Sequence, residues 1–258
     1  MDILQSIILG AVEGLTEFLP VSSTGHLILT SELMGIKQDS FHKTFEIIIQ
    51  LGSILSVLFV FKDKIIPNNR ESITLWKKLI VAFIPTGILG FLFYKHIKAL
   101  FVPETVAFML IFGGIIFIAL EYFHKEEKIK INNTNEISYK QAFFIGLFQS
   151  VSMIPGTSRS GATIVGGLLL GFNRRVATEF SFLLAVPTMF MATAYDVYKN
   201  YEQFNFDNTL ILIVGFLSAF TFAFFAIKTF LTFVAKFNFI PFGVYRILIG
   251  VIFLYYLY

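Results

Sequence analysis

Two acidic side chains lie one helical turn apart in an otherwise apolar N-terminal segment. Glu13 and Glu17 are separated by four residues, a spacing that places both carboxylates on one face of a helix. Carboxylates so placed in apolar surroundings repel each other and need a cation or a shared proton. We expect Glu13 and Glu17 to hold a divalent metal ion, because hard cations bind carboxylate oxygens. The alternative is an interfacial helix whose carboxylates both face water.

Hydroxyl groups and one imidazole follow these carboxylates. Residues 22–26 read Ser-Ser-Thr-Gly-His, which puts three hydroxyls close to His26. A hydroxyl nucleophile needs a base to take its proton, and histidine suits that task near neutral pH. The pattern predicts Ser23 as the nucleophile and His26 as its base. Two alternatives stay open, since serine and threonine also form plain helix N-caps and a lone histidine can be a buried polar group.

A second polar interruption lies in the other half of the chain. Residues 155–163 read Pro-Gly-Thr-Ser-Arg-Ser-Gly-Ala-Thr and are followed by an apolar helical stretch. Glycine lets a backbone approach an anion, while hydroxyls and amides at a helix N-terminus bind negative charge. The predicted phosphate-binding groups in this segment are Gly156, Ser158, Ser160 and Thr163, and Ser22 and Thr24 are their counterparts in the first segment.

One cationic side chain stands out in this second segment. Arg159 is the only lysine or arginine between Ala142 and Phe172. A guanidinium flanked by serines in an apolar stretch can hold a phosphate or carboxylate through two parallel hydrogen bonds. Arg159 is therefore predicted to clamp the phosphate, and the alternative is a salt bridge from Arg159 to Glu13 or Glu17.

The elements that must position these groups are membrane helices. Hydrophobic residues make up 56% of the chain and charged residues 14%, against about 25% charged in soluble domains. Six windows approach the ~20 residues that a bilayer-spanning helix needs. They lie at 45–61, 79–94, 104–122, 180–198, 210–234 and 240–258. The expected fold is an all-α polytopic membrane protein.

Two further apolar stretches, 3–30 and 141–171, are broken near the middle by proline, glycine and hydroxyl residues. Lipid tolerates a broken backbone only where it lies within protein or lines a wet cavity. Both stretches are therefore predicted to be re-entrant helix–loop–helix segments. The alternative is that each is an ordinary span with a kink.

The two broken stretches also resemble each other at an offset of 136 residues. The matched pairs are Gly10 and Gly146, Glu13 and Gln149, Leu15 and Val151, Ser22 and Ser158, and Gly25 and Gly161. Each half then holds one broken segment followed by three spans, an odd number, which predicts an inverted-topology repeat. The chain is expected to be a single membrane domain with repeats at about 1–123 and 136–258, and with its site where the broken segments meet.

Basic residues give an expected orientation. The 62–78 connection carries Lys62, Lys64, Arg70, Lys77 and Lys78, and the 123–140 connection carries Lys125, Lys128, Lys130 and Lys140. Such connections favour the cytoplasm, which places both termini and the entrance of the first broken segment outside. The absence of cysteine excludes disulfides and thiolate metal sites, and no basic cluster interleaved with aromatics indicates a nucleic-acid partner.

The combined set of groups is what phosphoryl transfer requires: metal ligands, a nucleophile, a base and a charge clamp. The nucleophile stays open among Ser23, Ser22, His26 and a water activated by Glu17. A transporter or flippase is the rival function, since broken helices with carboxylates occur there too. A carrier has no need of a nucleophile–base pair, and a purely structural scaffold gives no reason to bury Glu13, Glu17 and Arg159, so hydrolysis is favoured.

The motifs resemble those of the undecaprenyl-pyrophosphate phosphatase (bacitracin-resistance) family. Its Glu/Gln-x-x-x-Glu pattern is met by Glu13 and Glu17, its Pro-Gly-x-Ser-Arg-Ser-x-x-Thr pattern by residues 155–163, and its Ser-Ser-Thr-Gly-His stretch by residues 22–26. The likeness extends over the chain, including residues 43–53 and 179–187.

This resemblance implies a function, a cofactor and a location. The family removes one phosphate from undecaprenyl pyrophosphate at the outer face of the bacterial plasma membrane. That reaction recycles the lipid carrier of peptidoglycan and other wall polymers, and excess enzyme protects against bacitracin. The resemblance also implies dependence on Mg²⁺ or Ca²⁺. Membrane lipids are expected partners, and a homodimer is compatible with the sequence.

Overall fold

The computed structural model describes residues 1–123, 130–200 and 208–257, and in these ranges the chain is helical without a β-strand. Lys125 and Lys128 of the second basic connection lie outside the described residues, as do 201–207 and Tyr258. The α-helices are α1 Ile3–Glu17, α2 Ser23–Leu33, α3 Ser40–Val60, α4 Lys62–Ile65, α5 Arg70–Leu92, α6 Tyr94–Ala99, α7 Pro103–Phe123, α8 Tyr139–Val151, α9 Arg159–Leu169, α10 Arg174–Asn200, α11 Thr209–Val234 and α12 Ile240–Leu257.

Five helices of the described chain, α3, α5, α7, α10 and α11, are long and apolar enough to cross a membrane. The sixth predicted span, 240–258, is occupied by α12, a shorter apolar helix. Some helices begin well before the predicted windows, as α5 does at Arg70 rather than at 79. The reason is a polar first turn, in which Asn69 and Ser72 form a reciprocal capping box.

Large apolar side chains cover the outside of these helices. Phe91, Phe108, Phe190, Phe225 and Leu248 are each more than half exposed. A soluble monomer rarely exposes contiguous apolar surface on this scale, whereas hydrocarbon solvates such a surface. The prediction of an all-α polytopic membrane protein is confirmed.

Both broken segments form helix–loop–helix hairpins. The helices of the first, α1 and α2, have 15 and 11 residues, and those of the second, α8 and α9, have 13 and 11. Each is shorter than the ~20 residues needed to cross a bilayer, so neither arm of a hairpin spans alone. The chain enters α2 through Ser22 at φ +70° and enters α9 through Ser158 at φ +75°. These are the only described non-glycine residues with positive φ, a conformation that costs of order 1–3 kcal/mol.

The first helix of each hairpin packs against a span of the other half. Helix α1 lies on α11, and α8 lies on α5. Glycines allow both approaches: a Cβ at Gly10 would lie 2.6 Å from the Gly215 carbonyl oxygen, and one at Gly146 would overlap the Ala82 carbonyl. The two halves are therefore interlocked rather than side by side.

Helices α7 and α12 cross in a way that follows the same 136-residue offset. A Cβ at Gly114 would lie 2.5 Å from the Gly243 carbonyl oxygen, and one at Gly250 would lie 3.0 Å from the Ala107 carbonyl oxygen. Gly250 is the counterpart of Gly114, and Gly243 that of Ala107. The internal correspondence thus extends to the last long helix of each half, while the repeat boundaries near 123 and 136 stay a prediction.

A partly buried ion pair joins the ends of three helices. Arg174, the first residue of α10, donates from Nε and Nη2 to the two carboxylate oxygens of Glu121 in α7, at 3.0 and 2.7 Å. Glu121 also accepts from the backbone N–H of Phe239, just before α12. This bidentate pair fixes the span ends independently of the predicted site residues.

Candidate active site

The tips of the two hairpins meet inside the protein. Ser160 Oγ of the second segment donates to the Leu19 carbonyl of the first at 2.9 Å. Arg159 Nη2 donates to Glu17 Oε1 at 3.2 Å, and both side chains are about nine-tenths buried. The broken segments therefore bring the predicted carboxylate and guanidinium together at the place where the two segments meet.

Ser23 is bound to the same carboxylate. Its Oγ donates to Glu17 Oε2 at 2.6 Å, so Glu17 receives the serine hydroxyl on one oxygen and Arg159 on the other. A hydrogen bond to an ionised carboxylate is short and about twice as strong as a neutral one. The result is a hydroxyl–carboxylate–guanidinium array, and the salt bridge that was an alternative for Arg159 is formed within it.

His26 does not contact Ser23 in the structure. Its Nδ1 lies 2.8 Å from the Ser22 carbonyl oxygen and its Nε2 lies 2.7 Å from the Tyr245 hydroxyl. A carbonyl only accepts, so Nδ1 carries the proton, and Nε2 of the neutral ring accepts from Tyr245. The expected pairing of Ser23 with His26 is thus corrected. The bond to the carbonyl four residues back turns the imidazole toward α12, and Glu17 takes the place at the serine.

The contact between His26 and Tyr245 gives a first test of this correction. Tyr245→Phe removes one neutral hydrogen bond but keeps the stacked ring, whose centroid lies 5.6 Å from that of His26. Such a bond is worth about 0.5–1.5 kcal/mol, so we expect kcat/KM for the diphosphate hydrolysis that the family resemblance implies to fall by roughly 2- to 10-fold. Tyr255→Phe, on the exposed face of the same helix, is the matched control. A loss as large as that of Ser23→Ala would show that the tyrosine acts in the chemistry through His26.

Arg159 retains an unused donor. Nη1 donates to the Ser181 carbonyl at 2.9 Å and Nη2 to Glu17, while the buried Nε has no partner among the described residues. Leaving such a donor unsatisfied costs about 1–3 kcal/mol. The Thr157 hydroxyl, at the same tip, is likewise buried without a partner. Two unsatisfied donors at one tip are what a site for anionic oxygens provides.

Glu13 offers an unused acceptor. Its side chain is almost fully buried and Oε1 has no hydrogen-bond partner in the part of the chain described. Glu17 and Glu46 lie near enough to interact with it electrostatically. At the equivalent position of the second half, Gln149 is satisfied by the hydroxyls of Thr86 and Thr188, both at 3.1 Å. A carboxylate is thus left unpaired where a neutral amide finds partners.

These groups fit a hard divalent cation. The available donors are carboxylate oxygens, the ligands that Mg²⁺ and Ca²⁺ prefer. No group of three or more His, Cys, Asp or Glu side chains within the described ranges is arranged to hold a metal. Mg²⁺ commonly binds one or two carboxylates and completes its shell with water and substrate phosphate oxygens. Glu13 and Glu17 match that donor count.

The remaining predicted groups hold the second tip together. Ser158 Oγ caps α9 through the Gly161 N–H at 3.1 Å, and Thr163 Oγ1 lies 2.6 Å from Ser181 Oγ. Ser160 binds Leu19, as described above. Their contact with a phosphate stays a prediction, as does that of Ser22 and Thr24 at the start of α2. Gly156 has φ +91°, and its close approach is to Val106 of α7, whose carbonyl a Cβ would overlap.

Three residues at the tips were not among the sequence candidates. Ser181 carries no sequence signal, because a serine in a span is unremarkable until the fold brings it to Arg159. Tyr245 is hidden for the same reason. Arg246 did carry a signal: it is the only charged residue in α12, and the reasoning that selected Arg159 selects it equally.

The chain is similar to known proteins over nearly its whole length. The family model described as bacitracin resistance protein BacA matches residues 6–252. An undecaprenyl-diphosphatase of Wolinella succinogenes is 64% identical over 257 residues, covering 100% of this chain and 99% of the relative. One from Persephonella marina is 61% identical over 98% of both chains, and one from Campylobacter fetus subsp. fetus is 56% identical over 100% of both.

Proposed function

We infer, since the chain belongs to the bacitracin resistance protein BacA family, that it hydrolyses undecaprenyl diphosphate to undecaprenyl phosphate and inorganic phosphate. This reaction recycles the lipid carrier of cell-wall synthesis and underlies bacitracin resistance. The observation that carries the assignment is the contact of Ser23 Oγ with Glu17 Oε2, with Arg159 on the other carboxylate oxygen. This contact links the proposed nucleophile, its base and a guanidinium through two hydrogen bonds inside the protein.

The first step forms a covalent intermediate on Ser23. The serine oxygen attacks the terminal phosphorus and its proton passes to Glu17, over the 2.6 Å contact. The bond from that phosphorus to the bridging oxygen breaks, and undecaprenyl phosphate leaves with the proton from Glu17 on its new terminal oxygen. Arg159 supports this step by neutralising charge on the transferring oxygens, with its unused Nε as the available donor.

The second step returns the enzyme to its starting state. A water attacks the phosphoserine phosphorus while Glu17, again a carboxylate, takes one of its protons. The bond between phosphorus and the serine oxygen breaks, inorganic phosphate is released, and the serine oxygen recovers its proton from Glu17. His26 supports the geometry by anchoring the first turn of α2 through Ser22 and Tyr245.

Glu13 and Glu17 are the residues that would hold a divalent cation, Mg²⁺ or Ca²⁺. The unpaired buried oxygen of Glu13 supports this part of the proposal. A cation bound there would supply positive charge that offsets the charge of the pyrophosphate. The protein's own part is to hold both carboxylates one turn apart on α1, with Glu17 paired to the Arg159 guanidinium.

We assign the site to the outer side of the plasma membrane, with both termini outside. Support comes from the basic residues of the 62–78 connection, which favour the cytoplasm. The exposed phenylalanines of the spans provide apolar surface for the prenyl chain. A homodimer stays a prediction.

The test is phosphate release by the purified protein in detergent, with a long-chain prenyl diphosphate as substrate. We expect release with Mg²⁺, none with chelator, and none from Ser23→Ala. Acid quenching during turnover should trap a phosphate on Ser23, which distinguishes a covalent route from direct attack by water. If folded protein releases no phosphate but moves lipid phosphate across vesicles, the chain is a carrier and the hydrolase assignment is wrong.

A further inference from the structure

Arg246 is a buried cation that the proposed chemistry does not use. Its side chain is fully buried in α12, and its guanidinium donates to four backbone carbonyls. Nη1 donates to Pro20, Nη2 to Met109 and Gly156, all at 2.9 Å, and Nε donates to Leu110 at 3.3 Å. No carboxylate pairs with it among the described residues.

Two of these carbonyls belong to the hairpin tips and are equivalent by the internal repeat. Pro20 and Gly156 differ by 136 residues, and each lies two residues before the positive-φ serine that caps α2 or α9. A sharp turn of this kind leaves a carbonyl without a helical partner. The planar fork of a guanidinium can donate to both carbonyls at once, whereas a lysine ammonium is a single point charge.

The two halves carry different residues at this point, an arginine in the second half and a leucine in the first. Position 246 corresponds by the same offset to Leu110, whose carbonyl accepts from Nε. A Cβ at Gly113 would overlap the guanidinium, so glycine leaves the room that Arg246 occupies. The counterpart of Gly113 is Ile249, so the second half carries a branched side chain where the first half has none. The sequence thus provides both the arginine and the space for it in matching places.

We propose that Arg246 is a positioning residue of the phosphatase, holding the two hairpin tips at a fixed separation. Glu17 and Ser23 lie on the first hairpin and Arg159 on the second, so their alignment depends on the distance between the tips. The proposal rests on the hydrolytic function inferred above. Displacement of reacting groups by about 1 Å costs of order 100-fold in rate.

Two variants disturb this contact by different routes. Arg246→Lys keeps the charge but loses the fork, and Gly113→Ala keeps the arginine but displaces it. We expect kcat for a long-chain prenyl diphosphate to fall about 100-fold in both, with KM within about threefold of the parent. A general loss of folded protein would lower the active fraction and leave the kcat of the folded molecules unchanged.

A second measurement needs no turnover. The chain has no cysteine, so Leu15→Cys and Val151→Cys introduce a unique pair of spin labels. Both positions are exposed, near the ends of α1 and α8 at the base of each tip. We expect a narrow distance distribution between the labels in the parent and a broader one in Arg246→Lys and Gly113→Ala.

Matched controls separate positioning from general stability. Arg174→Lys disrupts the bidentate ion pair with Glu121, and Gly90→Ala adds a methyl group in a span with only ordinary contact to Met153. Both should keep the parent kcat and label distances, whatever their thermal unfolding midpoints. Parental kcat or parental label distances in Arg246→Lys would overturn the proposal. Absence of phosphate release in the parent would instead overturn the proposed function, and the label distances would still report whether Arg246 holds the tips.

Discussion

Arg159→Lys is expected to lower kcat/KM for phosphate release by about 10³-fold, and Arg159→Ala by at least as much. Arg159 donates at once to the Ser181 carbonyl and to Glu17, and it keeps Nε unused. Lysine retains the charge, but its three N–H bonds share a single nitrogen and lack the planar fork, so they do not reproduce donation from three separate nitrogens to Ser181, Glu17 and a phosphate oxygen. The measurement is steady-state phosphate release at saturating Mg²⁺.

Loss of folding is the trivial explanation to exclude, because Arg159→Ala leaves Glu17 buried without its cation. The double variant Arg159→Ala with Glu17→Gln removes both charges and should recover thermal stability while remaining inactive. Arg175→Ala, an exposed arginine near the start of α10, is the control for arginine removal as such. Arg159→Lys with parental kcat/KM would contradict the role given to the guanidinium.

The helical framework was predictable because membranes impose strong rules on composition. Six apolar windows became α3, α5, α7, α10, α11 and α12, and both interrupted stretches became hairpins. The predicted helix starts were the inaccurate part. Helix α5 begins at Arg70 because a capping box stabilises a polar first turn, which low hydropathy had assigned to a connection. The length of an apolar window indicates which residues lie in lipid, but it does not indicate where a capped polar turn extends the helix beyond the lipid.

The charged residues of the site could be predicted, because burying a charge is costly. The contacts between its side chains could not, because they depend on the direction in which each side chain points. Glu13, Glu17 and Arg159 follow from the cost of charges in apolar segments, and the structure groups them. The pairing of Ser23 with His26 was wrong, because spacing along a helix does not say which way an imidazole turns. Ser181 comes from a distant helix, which one sequence without its fold does not reveal.

The internal repeat explains how one site acquires unlike groups. At an offset of 136, Ser23 corresponds to Arg159, and Glu13 corresponds to Gln149. Equivalent backbone positions at two tips therefore present the proposed nucleophile on one side and a guanidinium on the other. Likewise one half keeps an unpaired carboxylate and the other a satisfied amide. The two hairpin tips are in contact, and the proposed chemistry depends on the differences between their equivalent residues.

Glu13→Gln should raise stability and destroy activity together. Glu13 buries a carboxylate oxygen without a partner, and Gln149 shows that an amide is accommodated at the equivalent place. Removing an unpaired buried charge stabilises a protein, so we expect a higher thermal unfolding midpoint in the absence of metal. Loss of a charged ligand should lower kcat about 100-fold and raise the Mg²⁺ concentration for half-maximal activity by at least about 10-fold.

A variant that gains thermal stability and loses activity is not explained by general damage to the fold. Glu121→Gln is the matched control, because Glu121 is equally buried but is held by Arg174 and the Phe239 N–H. Its replacement should lower the unfolding midpoint and leave the Mg²⁺ dependence of activity unchanged. If Glu13→Gln instead kept the parental Mg²⁺ titration, the cation would have to bind without Glu13, and the unpaired oxygen would need another partner. A carboxylate that destabilises the fold yet is required for turnover is what a metal ligand in an apolar helix should be.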